Sequence, residues 1–182
     1  MPAQTSADVL DFWFAESTRA NWFVRSEAFD ALVRAELGPL HVRAARGELD
    51  AWAADPRGAL ALVILLDQVP RNIHRGSANA FASDARALQH ARAVLDAGLD
   101  RSLSEVEKVF LYLPFEHSEA MADQDRSVTL MRALADPIWR DFAEQHRVVI
   151  ARFGRFPHRN AILGRESSPE ELEFLQQPGS SF

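Results

Sequence analysis

The sequence predicts an all-α fold: an antiparallel helical array of about nine helices, with no sheet, in a single domain spanning residues 1–182. Three observations support this. Capping side chains repeatedly precede proline, glycines stand where helices should stop, and apolar residues between these marks recur at three- and four-residue spacing. No segment alternates apolar and polar residues as a half-exposed strand would.

The punctuation sets the elements in order. Asp55-Pro56, Asp136-Pro137 and Ser168-Pro169 each put a capping side chain before a proline at the first helical position, where the missing N–H has no helical partner to lose. Ser104 with Glu107, and Ser168 with Glu171, have capping-box spacing. Gly38, Gly47, Gly98, Gly154 and Gly164 mark expected helix ends. The resulting helices cover 7–15, 26–37, 40–46, 56–68, 84–97, 105–113, 116–135, 137–153 and 169–176, each end placed to within about two to four residues. Connections are short, and no linker or low-complexity run divides the chain. No tetratricopeptide consensus recurs at its period of about 34 residues.

Composition narrows the functional classes. The 182 residues are 47% hydrophobic and 25% charged, which is ordinary globular usage. A formal net charge of −6 argues against general affinity for nucleic-acid phosphate. The absence of cysteine removes disulfides, thiolate metal sites and cysteine nucleophiles, and fits a reducing compartment. The start, MPAQTSADVLDFWF, lacks a basic region and a long apolar run, so it does not resemble a secretory signal. The most apolar stretch, 59–66, falls well short of the roughly 18 residues that a membrane span needs. The expected location is the cytoplasm. Lys108 is the only lysine among 20 basic residues, a bias that a GC-rich genome would produce.

Polar residues interrupt the apolar stripes at chosen places. In 137–153 the stripe is Ile138, Phe142, Val149 and Phe153, and His146 falls in line with it. A hydrogen-bonded core histidine and an imidazole facing a pocket both fit that position. From 106 to 135 the stripe of Phe110, Leu113, Met121, Val128 and Met131 takes in His117 and Gln124, with Glu116, Glu119 and Asp123 on an adjacent face. Asp67 and Gln68 pose the same question at the end of the apolar helix 56–68. The aromatic run Phe12-Trp13-Phe14, with Trp22 and Phe23, is expected to anchor the core.

Two segments repeat one chemistry. The first is Asp67-Gln68-Val69-Pro70-Arg71-Asn72-Ile73-His74-Arg75-Gly76; the second runs from Arg152 to Arg165 and contains Arg155, Pro157-His158-Arg159-Asn160 and Gly164. Each has an apolar helix leading to proline, then Arg-Asn, then glycine. Between Gln145 and Arg165 there are five arginines, two histidines and no acid. Such a basic patch in an acidic chain suits a phosphate or carboxylate held by bidentate guanidinium groups. One polar centre is therefore expected, with His117 and Gln124 between the two segments. Arg71, Arg155 and Arg159 would hold the anion. Asn72 and Asn160 would orient it, with Asp67, Gln68, Arg75, Glu119, Gln124 and His158 completing the site, and His117, His146 or Glu116 would act as acid or base if a reaction occurs. The rival arrangement is a buried ion network in which Arg71, Arg155 and Arg159 pair with Asp67, Glu116 and Glu119 and only fix helix packing. Glu116, His117, Glu119 and His146 could be metal ligands, but the i, i+4 His pair of HExxH is absent, so neither a metal nor a cofactor is expected. There is no nucleophile-elbow serine and no phosphate-cradling glycine loop.

The run LLDQVPRNIHRGSANAFASDARAL, with VLDFWF, LPFEHSE and its following glutamine, and RFGRFPHRN followed by LGR, resembles the motifs of a bacterial family known as domain of unknown function 924. The likeness runs from about Val9 to Leu175, with Val69 standing where the family pattern has an aromatic residue. It implies a tetratricopeptide-like helical fold and brings no established reaction. Fold analogy suggests peptide or protein binding. Three functions follow as alternatives: a small-anion site, with or without turnover; a helical module for a peptide or protein partner; and a structural domain.

Overall fold

The computed structural model describes residues 3–181. Among these residues the regular elements are all helical, and no strand is present. No helix among them is long and apolar enough to cross a membrane. The contacts group the chain into two compact units, Met1–Arg75 with Asn79–Pro114, and Gly76–Ala78 with Phe115–Phe182.

The first unit holds α1 (Ser6–Trp13), α2 (Glu16–Arg19), α3 (Glu27–Ala45), α4 (Pro56–Val63), α5 (Val69–Ile73), α6 (Asp84–Asp96) and most of α7 (Glu105–Glu116). α4 is its centre. Every residue from Gly58 to Val63 is buried, as expected of a helix that is apolar all round. It packs against α1, α6 and the 3-10 turn Asp50–Ala54. Gly58 makes this approach possible: a Cβ there would lie 2.0 Å from the Trp52 carbonyl oxygen. Asp55 caps α4 as expected, accepting the N–H groups of Arg57 and Gly58 at 3.1 and 3.0 Å. The expected break at Gly38-Pro39 does not occur. α3 runs through both residues because Val33, Leu37, Leu40, His41 and Ala44 keep one buried face across them.

The helix expected over 56–68 does not stop either. It passes through a π turn, Ile64–Gln68, into α5, where the Val69 N–H bonds the Ile64 carbonyl five residues back. The cause lies in Pro70, which has no N–H to give the Leu66 carbonyl. In this register the carbonyls of Leu65 and Leu66 both lose their α-helical donors. Side chains replace them: His41 Nδ1 donates to the Leu65 carbonyl at 2.8 Å, and Ser83 Oγ donates to that of Leu66 at 2.5 Å. Both carbonyls belong to buried residues, and a buried polar group left unbonded costs about 1–3 kcal/mol.

The second unit holds the end of α7, then α8 (Met121–Arg132), α9 (Pro137–Phe153), a 3-10 turn at Pro157–Arg159, and α10 (Pro169–Phe174). The expected helix over 116–135 is shorter, because residues 117–120 separate α7 from α8. α8 and α9 pack together and are joined by four residues, which makes them antiparallel neighbours. Asp136 caps α9 through the Ile138 N–H at 3.0 Å, and Gly154 ends it at φ 68°. Ser168 and Glu171 form the expected capping box on α10. The core consists of Val149, Ile150 and Phe156, with Met121, Phe153 and Phe174 against it. The expected α9 stripe is only half correct. Ile138 and Phe142 are 46% and 42% exposed, whereas Val149 and His146 are buried. The first two turns of α9 extend beyond the part that meets this core.

Candidate functional site

The first Arg-Asn segment lies in the first unit, and its side chains are tied to neighbours there. Arg71 forms a fork with Asp84, Nη1 to Oδ1 at 2.9 Å and Nη2 to Oδ2 at 3.0 Å. Its Nη1 also meets Asp67, the carbonyl at 2.6 Å and Oδ1 at 3.1 Å. Gln68 Nε2 donates to Asp67 Oδ2 at 2.6 Å. Asn72 and Arg75 both reach Asp30 on α3: Asn72 Nδ2 donates to Oδ1 at 2.8 Å, and Arg75 is bidentate at 2.8 Å on each oxygen. The Arg75 bonds hold the Asp30 carboxyl below its ordinary pKa. The Asp67–Arg71 pair of the ion network is therefore present. Asp84 and Asp30 are the further acids, and no sequence pattern near the motif points to them.

The second segment lies in the second unit and divides by role. Arg155 is bidentate on Glu171, at 2.6 and 2.7 Å, and also donates to the Glu166 carbonyl at 2.8 Å. That contact holds the Glu171 carboxyl down to about 2. Glu119 pairs with Arg165 at 2.7 and 3.0 Å and accepts the Phe156 N–H at 2.8 Å. Although burial opposes its charge, these bonds keep the Glu119 pKa below the ordinary value. Asn160, fully buried, donates to Ser167 Oγ at 3.1 Å. These contacts fix the loop that follows α9. Arg155 and Glu119 thus have different partners from those the ion network assigned them.

The remaining candidates of this unit gather on one ring. Phe156 is fully buried. The guanidinium carbon of Arg159 lies 4.4 Å from its centre, and the imidazoles of His146 and His158 are each 5.7 Å from it. His117 is 6.3 Å from His146, ring centre to ring centre. Arg159 Nη1 donates to the His117 carbonyl at 3.1 Å. His146 Nδ1 meets the Phe142 carbonyl at 2.8 Å and Glu116 Oε1 at 3.3 Å. Glu116, His146 and Arg159 are all buried. Gln124, also placed here by its spacing, serves the backbone: its Nε2 donates to the carbonyls of Glu116 at 2.7 Å and Ser118 at 2.6 Å. These carbonyls close the C-terminal end of α7, which would otherwise lack donors. Phe156, the hub of the cluster, escaped the sequence reading because an aromatic residue beside proline looks like ordinary core. Among the described residues no group of three or more His, Asp or Glu side chains is arranged to hold a metal ion.

The electrostatics follow from this crowding. Burial pushes the His146 pKa from 6.5 down to about 3, and repulsion from His117, Arg159 and His158 adds to it; the Phe142 carbonyl opposes the shift. His146 is therefore neutral at pH 7 in the folded chain. In the unfolded chain it titrates near 6.5, so the unfolded state binds the extra proton between these values. Stability is then full above pH 6.5 and falls as pH drops through the window from about 6.5 towards 3. The expected slope from this residue is up to about 1.4 kcal/mol per pH unit. Urea unfolding of the wild type and His146→Gln at pH 7.5, 6 and 5 checks it. The variant should lose less stability on acidification, and equal losses would contradict the assignment.

Comparison with known proteins places the chain. The model of a bacterial protein family of unknown function, DUF924, matches residues 9–179. The chain belongs to the DUF924 family. The DUF924 match spans both units and includes every residue of the cluster around Phe156. A solved structure of a protein of unknown function, ATU0120 from Agrobacterium tumefaciens, is 43% identical and aligns with a TM-score of 0.89, covering 94% of this chain and 96% of that one. Comparison with curated proteins finds no match.

Proposed function

We propose that this DUF924 protein binds a small anion, a carboxylate or phosphate-like oxyanion, at the cluster around Phe156. The observation that carries this is the convergence of the buried Arg159 and His146 with the half-buried His117 and His158. Arg159 supplies positive charge and the imidazoles can supply N–H donors at the same place, and both stabilise a bound anion. Arg159 is the anchor, with its guanidinium face on the Phe156 ring and its Nη1 on the His117 carbonyl. Arg71, Arg75, Arg155 and Arg165 are scaffold, since each forms a bidentate or multiple contact with a carboxylate of its own unit. Asp67, Gln68, Asn72, Glu119, Gln124 and Asn160 belong with them.

Thermal unfolding in graded sulfate, and in a panel of carboxylates and phosphate esters at matched ionic strength, tests the proposal. A ligand at 100 times its dissociation constant adds about 2.7 kcal/mol to the unfolding free energy. The melting temperature of the wild type should rise with at least one anion, and that of Arg159→Gln should not. A rise of the same size in both proteins would place the anion elsewhere.

A further inference from the structure

The pairing of His146 with Glu116 extends the anion reading to the proton. His146 Nδ1 faces the Phe142 carbonyl at 2.8 Å, a group that can only accept, so Nδ1 carries the ring proton. Glu116 Oε1, 3.3 Å from the same nitrogen, reinforces that tautomer. The basic lone pair of the neutral ring is therefore on Nε2. We propose that His146 is the proton acceptor of the anion site, so that the site takes its ligand as an oxyanion together with one proton from solvent. This rests on the anion reading given above.

The groups around the ring make the coupling. From the end of α7 come Glu116 and His117, and from the turn after α9 come His158 and Arg159. On α8, packed against α9, Asp123 accepts from Ser118 Oγ and Asp125 pairs with Arg147. His117, Arg159 and His158 oppose protonation of His146. An anion among them offsets that opposition, and Glu116 stays at Nδ1 to stabilise the imidazolium. The proton passes from solvent to Nε2, and the total charge of the occupied site changes by that one proton. By linkage, a proton taken up on binding makes binding tighter as pH falls, by up to about tenfold per pH unit. Glu116 is a positioning residue here, acting through His146.

The test is a calorimetric titration of the full chain with sodium sulfate at pH 6, in two buffers with different heats of ionisation. Sulfate does not titrate in this range, so any proton exchanged belongs to the protein. The expected result is sulfate binding with uptake approaching one proton in the wild type, reduced uptake in Glu116→Gln, and binding with no uptake in His146→Gln. Nitrogen chemical shifts of the wild-type imidazoles give the same answer without a variant: His146 should pass from the Nδ1–H tautomer to imidazolium as sulfate is added. Equal heats in the two buffers, uptake retained in His146→Gln, or an unchanged His146 tautomer at saturation would overturn the proton coupling and leave the anion site standing. A failure of sulfate to bind at pH 6 would overturn both.

Discussion

Replacing Phe110 with alanine is expected to lower the unfolding free energy by about 3–5 kcal/mol, the range for large aromatic truncations in a packed core. Phe110 is fully buried. Its ring lies 5.7 Å from Trp13, 5.5 Å from Phe14, 4.7 Å from Trp22 and 6.0 Å from Phe23. Each partner comes from the first two dozen residues, so this side chain packs the N-terminal segment of the first unit against α7. Three of these contacts are edge-on, the geometry that aromatic quadrupoles favour. For a domain of this size the loss should appear as a fall in melting temperature of roughly 10 °C. Phe110→Leu, which keeps most of the volume, should fall much less. A Phe110→Ala protein within about 1 kcal/mol of wild type by urea unfolding would mean that the N-terminal segment is held by other contacts.

The second large effect is expected at Asp67. This carboxylate is fully buried, 3.1 Å from Arg71 and 2.6 Å from Gln68 Nε2. Asp67→Ala leaves Arg71 with Asp84 and takes the acceptor from a buried amide. Breaking a buried charge pair from one side costs about 3–5 kcal/mol. The remaining Asp84 fork places Asp67→Ala near the lower end of that range. Asp67→Leu combined with Arg71→Met, which removes both charges, should recover part of the loss. The check is a double-mutant cycle by urea unfolding. Additive losses would show that the two side chains do not act as a pair, whereas a double variant more stable than Asp67→Ala is the expected outcome.

The helical class and most helix starts were legible because their causes are local. A cap acts over three residues, so Asp55, Asp136 and Ser168 could be identified from their neighbours alone. Where a distant partner decides, the sequence misled. Gly38-Pro39 looked like a break, yet the buried face of α3 continues across it. Pro70 looked like a helix stop, but His41 and Ser83 supply the hydrogen bonds that let the chain go on through a π turn. The polar side chains around Pro70 are tied to Asp84, Asp67 and Asp30 of the first unit, partners that only the fold brings near. In the second Arg-Asn segment the local charge pattern was informative, since His146, His158 and Arg159 do converge. It could not distinguish Arg159 from Arg155, because Glu171 lies sixteen residues beyond Arg155 and only the fold brings it back.

The histidines report directly on whether the cluster around Phe156 holds an anion. Imidazole resonances of all six histidines can be followed while sulfate is added at constant ionic strength, with chloride as the exchanged salt. Saturable shifts are expected at His117, His146 and His158, with His41, His74 and His90 of the first unit unmoved, and loss of those shifts in Arg159→Gln. Six resonances unchanged by sulfate, or shifts confined to His41, His74 and His90, would contradict an anion site at this cluster.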